Sequence, residues 1–402
     1  MLHAATLASI TVPSSFSDPR HRFTMIAKRA AAICVLLDRD DDDPSGAGAG
    51  WCKRQRLWTT ADYEATRALG AGSFGAVVEA RHRATGHAVA VKALRASETP
   101  ATAAPAGGGA AAEAKAKASA EAAADEALRE AEFLAACRGH PSLVGLHAIA
   151  INPGTSEVAL VMECVGPNLH DVLNGSRHRA GRPFPEPQVR RIMRQLLAGA
   201  KHMHARRIMH RDIKPGNILV VGAGGGDGRE PISVKICDLG LAASIIDQPP
   251  YERAGTRWYM APEMLLGKPD YDAMVDMWSL GCVMAELLTG KPLFDGEDDN
   301  EVLRRIFSVL GVPGQRTWPA FKSLPLAGTV VLPPVRHRNR LRQLLPKERL
   351  SADGFDVLKR LLSCNADKRP SASAALRSPW FTKDIESTAS VSPAAAAAKM
   401  VQ

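Results

Sequence analysis

The order of apolar and polar positions divides this chain into a strand-rich first part and a helical second part. Valine-rich alternation marks strands over residues 76–80 and 88–94. Strand signals return at 143–150 and 157–163, after a helix over about 125–137. Further on, Val189, Ile192, Met193, Leu196, Leu197, Ala200 and Met203 recur at i, i+3, i+4, i+7 spacing, which predicts one buried face of a long helix. Two short strands, 218–221 and 232–237, flank the glycine-rich loop Gly222–Gly228, and helices are expected over 274–289 and 300–310. Residues 96–124 are alanine-rich with Gly107–Gly109 in the middle, and read as a low-complexity, disordered insertion running into the helix. Residues 1–62 read as an irregular extension, because the acidic run Asp40–Asp43 leads into a Pro-Ser-Gly-Ala-Gly stretch that packs poorly. Residues 382–402, which hold an alanine run, read as a disordered tail.

With 402 residues the chain is long enough for two domains, or two lobes of one catalytic unit. A net charge of +9 raises the question of nucleic acid, but the basic residues are scattered and aromatics are only 5%, so no nucleic-acid partner is expected. The cluster Lys53, Arg54, Arg56 reads as a solvated basic spot rather than an import signal. Seven cysteines without paired or metal-ligand spacing suit free thiols in a reducing compartment. The run Ala30–Leu37 falls far short of the roughly 20 residues that span a bilayer, so no membrane is expected. The chain therefore reads as intracellular, nuclear or cytoplasmic. A transit peptide in the acid-poor first 37 residues is the weaker reading of that end.

The densest chemistry lies in Ile208–Leu219, read Ile-Met-His-Arg-Asp-Ile-Lys-Pro-Gly-Asn-Ile-Leu. One short loop carries a carboxylate (Asp212), an ammonium (Lys214) and an amide (Asn217). Moving a phosphoryl group from ATP to a hydroxyl needs this set. The Asp orients and deprotonates the acceptor, the Lys neutralises charge on the migrating group, and the Asn oxygen helps hold Mg2+. Gly70-Ala71-Gly72-Ser73-Phe74-Gly75-Ala-Val77 lies between two strand patterns, where glycines let backbone N–H groups approach phosphates. A dinucleotide fingerprint has the same letters but would open a helix, and a plain glycine hairpin also fits. Lys92 ends an apolar strand and needs an anionic partner. Glu130 on the next helix is the expected one, with Glu126 and Glu132 nearby as alternatives. Asp238-Leu-Gly follows a strand and is suited to chelating Mg2+. Glu263 needs a buried cation, for which Arg369 is expected, and Asp276 is expected to cap backbone amides of the 208–219 loop.

In this order, over about residues 63–381, these elements resemble the eukaryotic protein kinase family. The resemblance implies an α+β, bilobal protein kinase fold. Its N-lobe, a small antiparallel sheet with one main helix, would cover 63–165 including the insertion at 96–124, and its mostly helical C-lobe 166–381. It also implies ATP and Mg2+ as cofactors and protein substrates with Ser/Thr acceptors. Asp212, Lys214, Lys92 and Glu130 would be catalytic, and Asn217 and Asp238 would hold the metal. Nucleotide contacts would come from Gly70, Ala71, Gly72, Ser73, Phe74, Gly75, Val77, Ala90, Lys92, Glu163, Val165, Asn168 and Leu219, with Glu163 and Val165 offering backbone groups to adenine and Asn168 meeting the ribose. Lys214 resembles the serine/threonine branch, and Thr256 matches the threonine that bridges the catalytic Asp and Lys there. Trp258-Tyr-x-Ala-Pro-Glu263, Asp276-Met-Trp-Ser-Leu-Gly-Cys282 and Lys291-Pro-Leu-Phe-Asp-Gly resemble the cyclin-dependent kinases, plant members in particular around Ala136-Cys-Arg-Gly-His-Pro141.

Four departures bear on regulation. The helix bearing Glu130 keeps only Arg-Glu of the group's P-S-T-A-I-R-E motif, which leaves a cyclin-like regulatory subunit an open question. The phosphate-accepting threonine of that group falls at Tyr251, and of its three phosphate-binding arginines Arg129 and Arg211 remain while Ala243 replaces the third. Activating phosphorylation is therefore expected to be absent or to fall on Tyr251. Met260 replaces the arginine that shapes a proline pocket, and Phe74 removes an inhibitory tyrosine. The rival to an active kinase is a kinase-fold scaffold without turnover, but Lys92, Asp212 and Asp238 are all present.

Overall fold

The computed structural model describes residues 19–38, 58–72, 75–93, 110–152, 155–175, 183–222, 232–247, 249–332 and 339–382. Ser73, Phe74, the glycine loop at 223–228, the basic spot at 53–56 and the 383–402 tail lie outside them. Two compact units form, Met1–Ala131 with Leu146–Met162, and Glu132–Gly145 with Glu163–Gln402.

The first unit holds α1 (Pro19–Asp38), β1 (Trp58–Thr59), β2 (Tyr63–Gly72), β3 (Gly75–His82), β4 (Ala88–Ala93), most of α2 (Ala110–Ala136), β5 (Leu146–Ile151) and β6 (Val158–Glu163). Its six-stranded sheet runs β1-β5-β6-β4-β3-β2, with β1 parallel to β5. Alternation places Tyr63, Ala80, Val89, Val91, Ala148, Ala150, Ala159 and Val161 in one core against Trp58 and Val78.

Two helices depart from expectation. The stretch 1–62, read as irregular, contains α1, which packs against β5 and links to α2 through Arg29 and Asp125 at 3.2 Å. Its signal was the triplet Ile26, Ala30, Ile33, all buried and one helical face apart. The 96–124 stretch is not irregular throughout either. Immediately past Gly107–Gly109 the sequence is rich in Ala, Glu and Lys, strong helix formers, and α2 starts at Ala110 instead of near 125.

The second unit comprises α3 (Leu169–Asn174), α4 (Glu186–Ala205), β7 (Ile208–Met209), β8 (Ile218–Val221), β9 (Ser233–Ile236), β10 (Ala243–Ser244), α5 (Pro262–Leu265), α6 (Met274–Thr289), α7 (Asp299–Leu310), α8 (Leu341–Leu344), α9 (Ala352–Leu361) and α10 (Ala372–Leu376). β8 and β9 form an antiparallel hairpin, and β7 pairs with β10. The seven predicted apolar residues of α4 are fully buried. α6 is apolar nearly all round, as a central helix must be.

Buried charge in this unit is paired. Glu263 in α5 takes both guanidinium nitrogens of Arg369, at 2.5 and 2.7 Å. The histidine pair His140 and His202, ring centroids 4.8 Å apart, has no counter-ion of this kind. Burial, then the Arg206 charge, then His140 push His202 down to about 4, and burial with Arg206 and Lys235 lowers His140. An unfolded histidine titrates near ~6.5, so the unfolded chain binds these protons more readily. The stability carried by the neutral pair is therefore complete above ~6.5 and is lost as pH falls toward the folded value. The urea midpoint of wild type is expected to drop between about pH 7 and 5 more steeply than that of His202→Gln. Parallel pH profiles would contradict this.

Candidate active site

A dense set of predicted residues meets on the loop between β7 and β8. Asp276, in the first turn of α6 and fully buried, accepts the backbone N–H of His210 and of Arg211, each at 2.9 Å, and bonds His204 Nε2 at 2.8 Å. Burial alone would raise its carboxyl. The His204 hydrogen bond and the nearby His210 outweigh burial and hold it below the ordinary carboxylate range. His210 donates from Nε2 to the Cys237 carbonyl at 3.0 Å and accepts the Asp212 amide at Nδ1, which ties the loop to the end of β9. Arg211 is left-handed at φ 69°, a strained geometry these bonds hold in place.

Asp212 is thereby presented with its carboxylate almost wholly engaged. Oδ1 accepts the N–H of Thr256 at 2.7 Å. Oδ2 accepts the Asn217 amide at 3.0 Å and the Lys214 ammonium at 2.8 Å. Lys214 also donates to Thr256 Oγ1 at 2.6 Å, so Thr256 does bridge the Asp and the Lys. Asn217 spends its amide nitrogen twice on Asp212, on the carboxylate and on the backbone carbonyl, both at 3.0 Å. Gly255 permits this approach, because at its φ of 107° an added Cβ would stand 2.3 Å from the Arg211 carbonyl oxygen. Asp238 follows β9 in a left-handed conformation, φ 64°.

Other predicted residues of the second unit take more particular places. Glu163 gives its N–H to the Gly145 carbonyl at 3.0 Å, and its carboxylate accepts Gly145 N–H and Lys235. Val165 is half-buried in the connection before α3, and Leu219 is half-buried in β8. Asn168 is the N-cap of α3. Its oxygen accepts the Asp171 N–H and its amide donates to the Asp171 carboxylate, both at 2.9 Å, so a ribose contact would compete with a helix cap.

In the first unit, Lys92 on β4 meets Glu130 on α2, with Nζ 2.9 and 2.8 Å from the two carboxylate oxygens and both side chains buried. Glu130, rather than Glu126 or Glu132, is thus the residue brought to the lysine. The Gly70–Val77 motif forms a β2–β3 hairpin with Gly70 opposite Val77, Ala71 opposite Ala76 and Gly72 opposite Gly75, and opens no helix. Val77 in turn pairs with Lys92, and Ala90 is buried two residues before it on β4.

Glu286 and Tyr271, which the motifs did not single out, add buried bonds to this unit. Tyr259 donates to the buried Glu286 at 2.7 Å. Burial raises the Glu286 carboxyl, and the Tyr259 bond partly offsets this. Tyr271 bonds Arg211, as described below. Apart from Asp276, Glu286 is the one carboxylate of the largely apolar α6, which was a readable signal, whereas nothing local marks Tyr271.

Residues 63–381 match the protein kinase domain family. A rice protein, "Putative cyclin-dependent kinase F-2" of Oryza sativa subsp. japonica, is 44% identical over 80% of this chain and 90% of its own length. "Cyclin-dependent kinase G1" of Arabidopsis thaliana is 38% identical over 63% of this chain and 41% of its own. "Serine/threonine-protein kinase ppk23" of Schizosaccharomyces pombe is 36% identical over 63% of this chain and 61% of its own.

Proposed function

The chain belongs to the protein kinase family as a cyclin-dependent-kinase-like serine/threonine kinase, and from that premise we propose how its own residues transfer phosphate to protein hydroxyls. Magnesium-bound ATP supplies the transferable γ-phosphoryl group. Asp212 takes the proton of the acceptor hydroxyl. Oδ1 is the receiving oxygen, because Thr256 fills one of its lone-pair directions while Oδ2 already carries two donors. Lys214, held by Asp212 and Thr256, neutralises charge on the group in transit. Lys92, oriented by Glu130, holds the α- and β-phosphates.

The donor set fits the cation. Asn217 spends its nitrogen on Asp212, which leaves its Oδ1 as the hard oxygen to offer a cation, and Asp238 adds a carboxylate. Among the described residues no three His, Cys, Asp or Glu side chains gather as a self-sufficient metal site. This suits Mg2+, which takes few protein ligands and completes its shell with phosphate and water. Nucleotide contacts are assigned to the glycine hairpin and Ala90 in the first unit, and to the backbone of Glu163 and Val165 and the side chain of Leu219 in the second.

The observation that carries this reading is the carboxylate of Asp212, fixed by Thr256, Asn217 and Lys214 at once. A folded scaffold has no need of that arrangement, and nothing here favours one. Protein substrates follow from the family. Incubation with labelled ATP and a degenerate peptide library should label Ser and Thr acceptors and leave Tyr acceptors unlabelled. Nucleotide binding without labelling of any peptide would overturn the reading.

A further inference from the structure

The guanidinium of Arg211 is occupied without any phosphate. Its Nε donates to the Leu241 carbonyl at 2.6 Å, and Nη1 donates to the Tyr271 hydroxyl at 3.0 Å. Tyr271, in the loop before α6 and 3% exposed, passes the interaction on by donating to the Glu252 carbonyl at 2.6 Å. A hydroxyl that accepts from a cation is a stronger donor, so the two bonds reinforce each other. Three stretches meet in this relay: the loop carrying Asp212, the residues just after Asp238, and the segment that leads to Thr256.

What the relay holds is close to the chemistry. Three residues beyond Glu252, Gly255 lies flat against the Arg211 carbonyl, and the next residue gives its N–H to Asp212. The hydroxyls of this stretch are otherwise employed, Ser244 Oγ accepting the Ile246 N–H at 3.2 Å and Tyr259 donating to Glu286. Tyr251 donates to the Asp247 carbonyl at 2.7 Å, and its ring packs on Tyr271 with centroids 5.3 Å apart. Thr256 Oγ1 accepts from Lys214. The Tyr251 backbone N–H is bound as well, to the Pro269 carbonyl at 2.8 Å.

We propose that Tyr271 is a positioning residue for phosphoryl transfer. Its hydroxyl joins Arg211 to Glu252 where an added phosphate would otherwise bridge, so this kinase works without phosphorylation of its 239–263 segment. The inference rests on the function proposed above. Tyr271 touches no substrate; it acts through Arg211 and the backbone that presents Thr256.

The test uses the full chain and a peptide found by the library assay. Phosphatase treatment of wild type, and Tyr251→Phe, should leave kcat unchanged. Tyr271→Phe keeps the buried ring and loses the hydroxyl. It should lower kcat about tenfold or more, with KM for ATP nearly unchanged and the thermal midpoint lowered by only a few degrees, the scale of one buried hydrogen bond to a charged group in a domain of this size. Adding Tyr251→Glu to Tyr271→Phe should restore much of the loss, because it offers Arg211 a carboxylate from the neighbouring ring's position. Unchanged kcat in Tyr271→Phe, a loss that Tyr251→Glu does not rescue, or inactivation of wild type by phosphatase would each overturn the proposal. A wild type that labels no peptide before any treatment would instead defeat the functional reading itself.

Discussion

Asp212→Asn is expected to lower kcat by about 10²–10⁴-fold, the range for removing a general base, with nucleotide affinity nearly unchanged. The two side chains have the same shape, so the effect is chemical. Asn cannot take the acceptor's proton. It also cannot satisfy its surroundings: Oδ1 and Oδ2 of Asp212 together accept from Thr256, Asn217 and Lys214. An amide nitrogen in place of either oxygen sets donor against donor. If Nδ2 faces Asn217 and Lys214, the lysine loses half its hold; if it faces Thr256, the segment entering the site is released. Steady-state kinetics should therefore show a kcat effect and only a small KM change for ATP, whose expected contacts lie on Lys92, Asn217, Asp238 and the hairpin. A variant with wild-type kcat would remove Asp212 from the reaction.

The largest effect on stability is expected at Glu263. Glu263→Ala strands the Arg369 guanidinium, which is 5% exposed and reaches the backbone carbonyls of Ser363, Met274 and Cys364 and the face of Trp278. Breaking a buried pair by removing one partner costs about 3–5 kcal/mol, because the remaining charge stays in a poor solvent. In a domain of this size the thermal midpoint should fall by an amount of order 10 °C. Glu263→Leu combined with Arg369→Met should be less destabilising than Glu263→Ala, since no charge is then left behind. Calorimetry decides between the outcomes. A single variant within about 1 kcal/mol of wild type would mean that water reaches Arg369.

The difference in sequence distance between these groups explains what was legible before the fold was known. Asp212, Lys214 and Asn217 share one loop, so their chemistry could be read from adjacent letters. The buried face of α4 was equally plain, since its period is local. Glu263 and Arg369 lie far apart, but Glu263 is a charge among Met260, Ala261, Pro262, Met264 and Leu265, and such a charge calls for a partner. Tyr271 gave no such signal. It is an ordinary aromatic sixty residues from Arg211, and only the packing of α6 beside the catalytic loop brings them together. Asn168 also carries a capping signature with Asp171 three residues on, which the structure shows as the N-cap of α3. α1 was not legible because the acidic and glycine-rich residues that follow it set the character of the whole 1–62 stretch, and its face Ile26, Ala30, Ile33 finds its packing only on β5, far along the chain.

Transfer chemistry at Asp212 is measured most directly by a rapid-quench time course. Enzyme is pre-equilibrated with γ-labelled ATP and Mg2+, mixed with a serine peptide, and label on the peptide hydroxyl is followed within the first turnover. Wild type should transfer label, and Asp212→Asn should bind the same nucleotide yet transfer about 10²–10⁴-fold more slowly. Identical time courses for the two proteins, or no transfer by wild type with nucleotide bound, would contradict it.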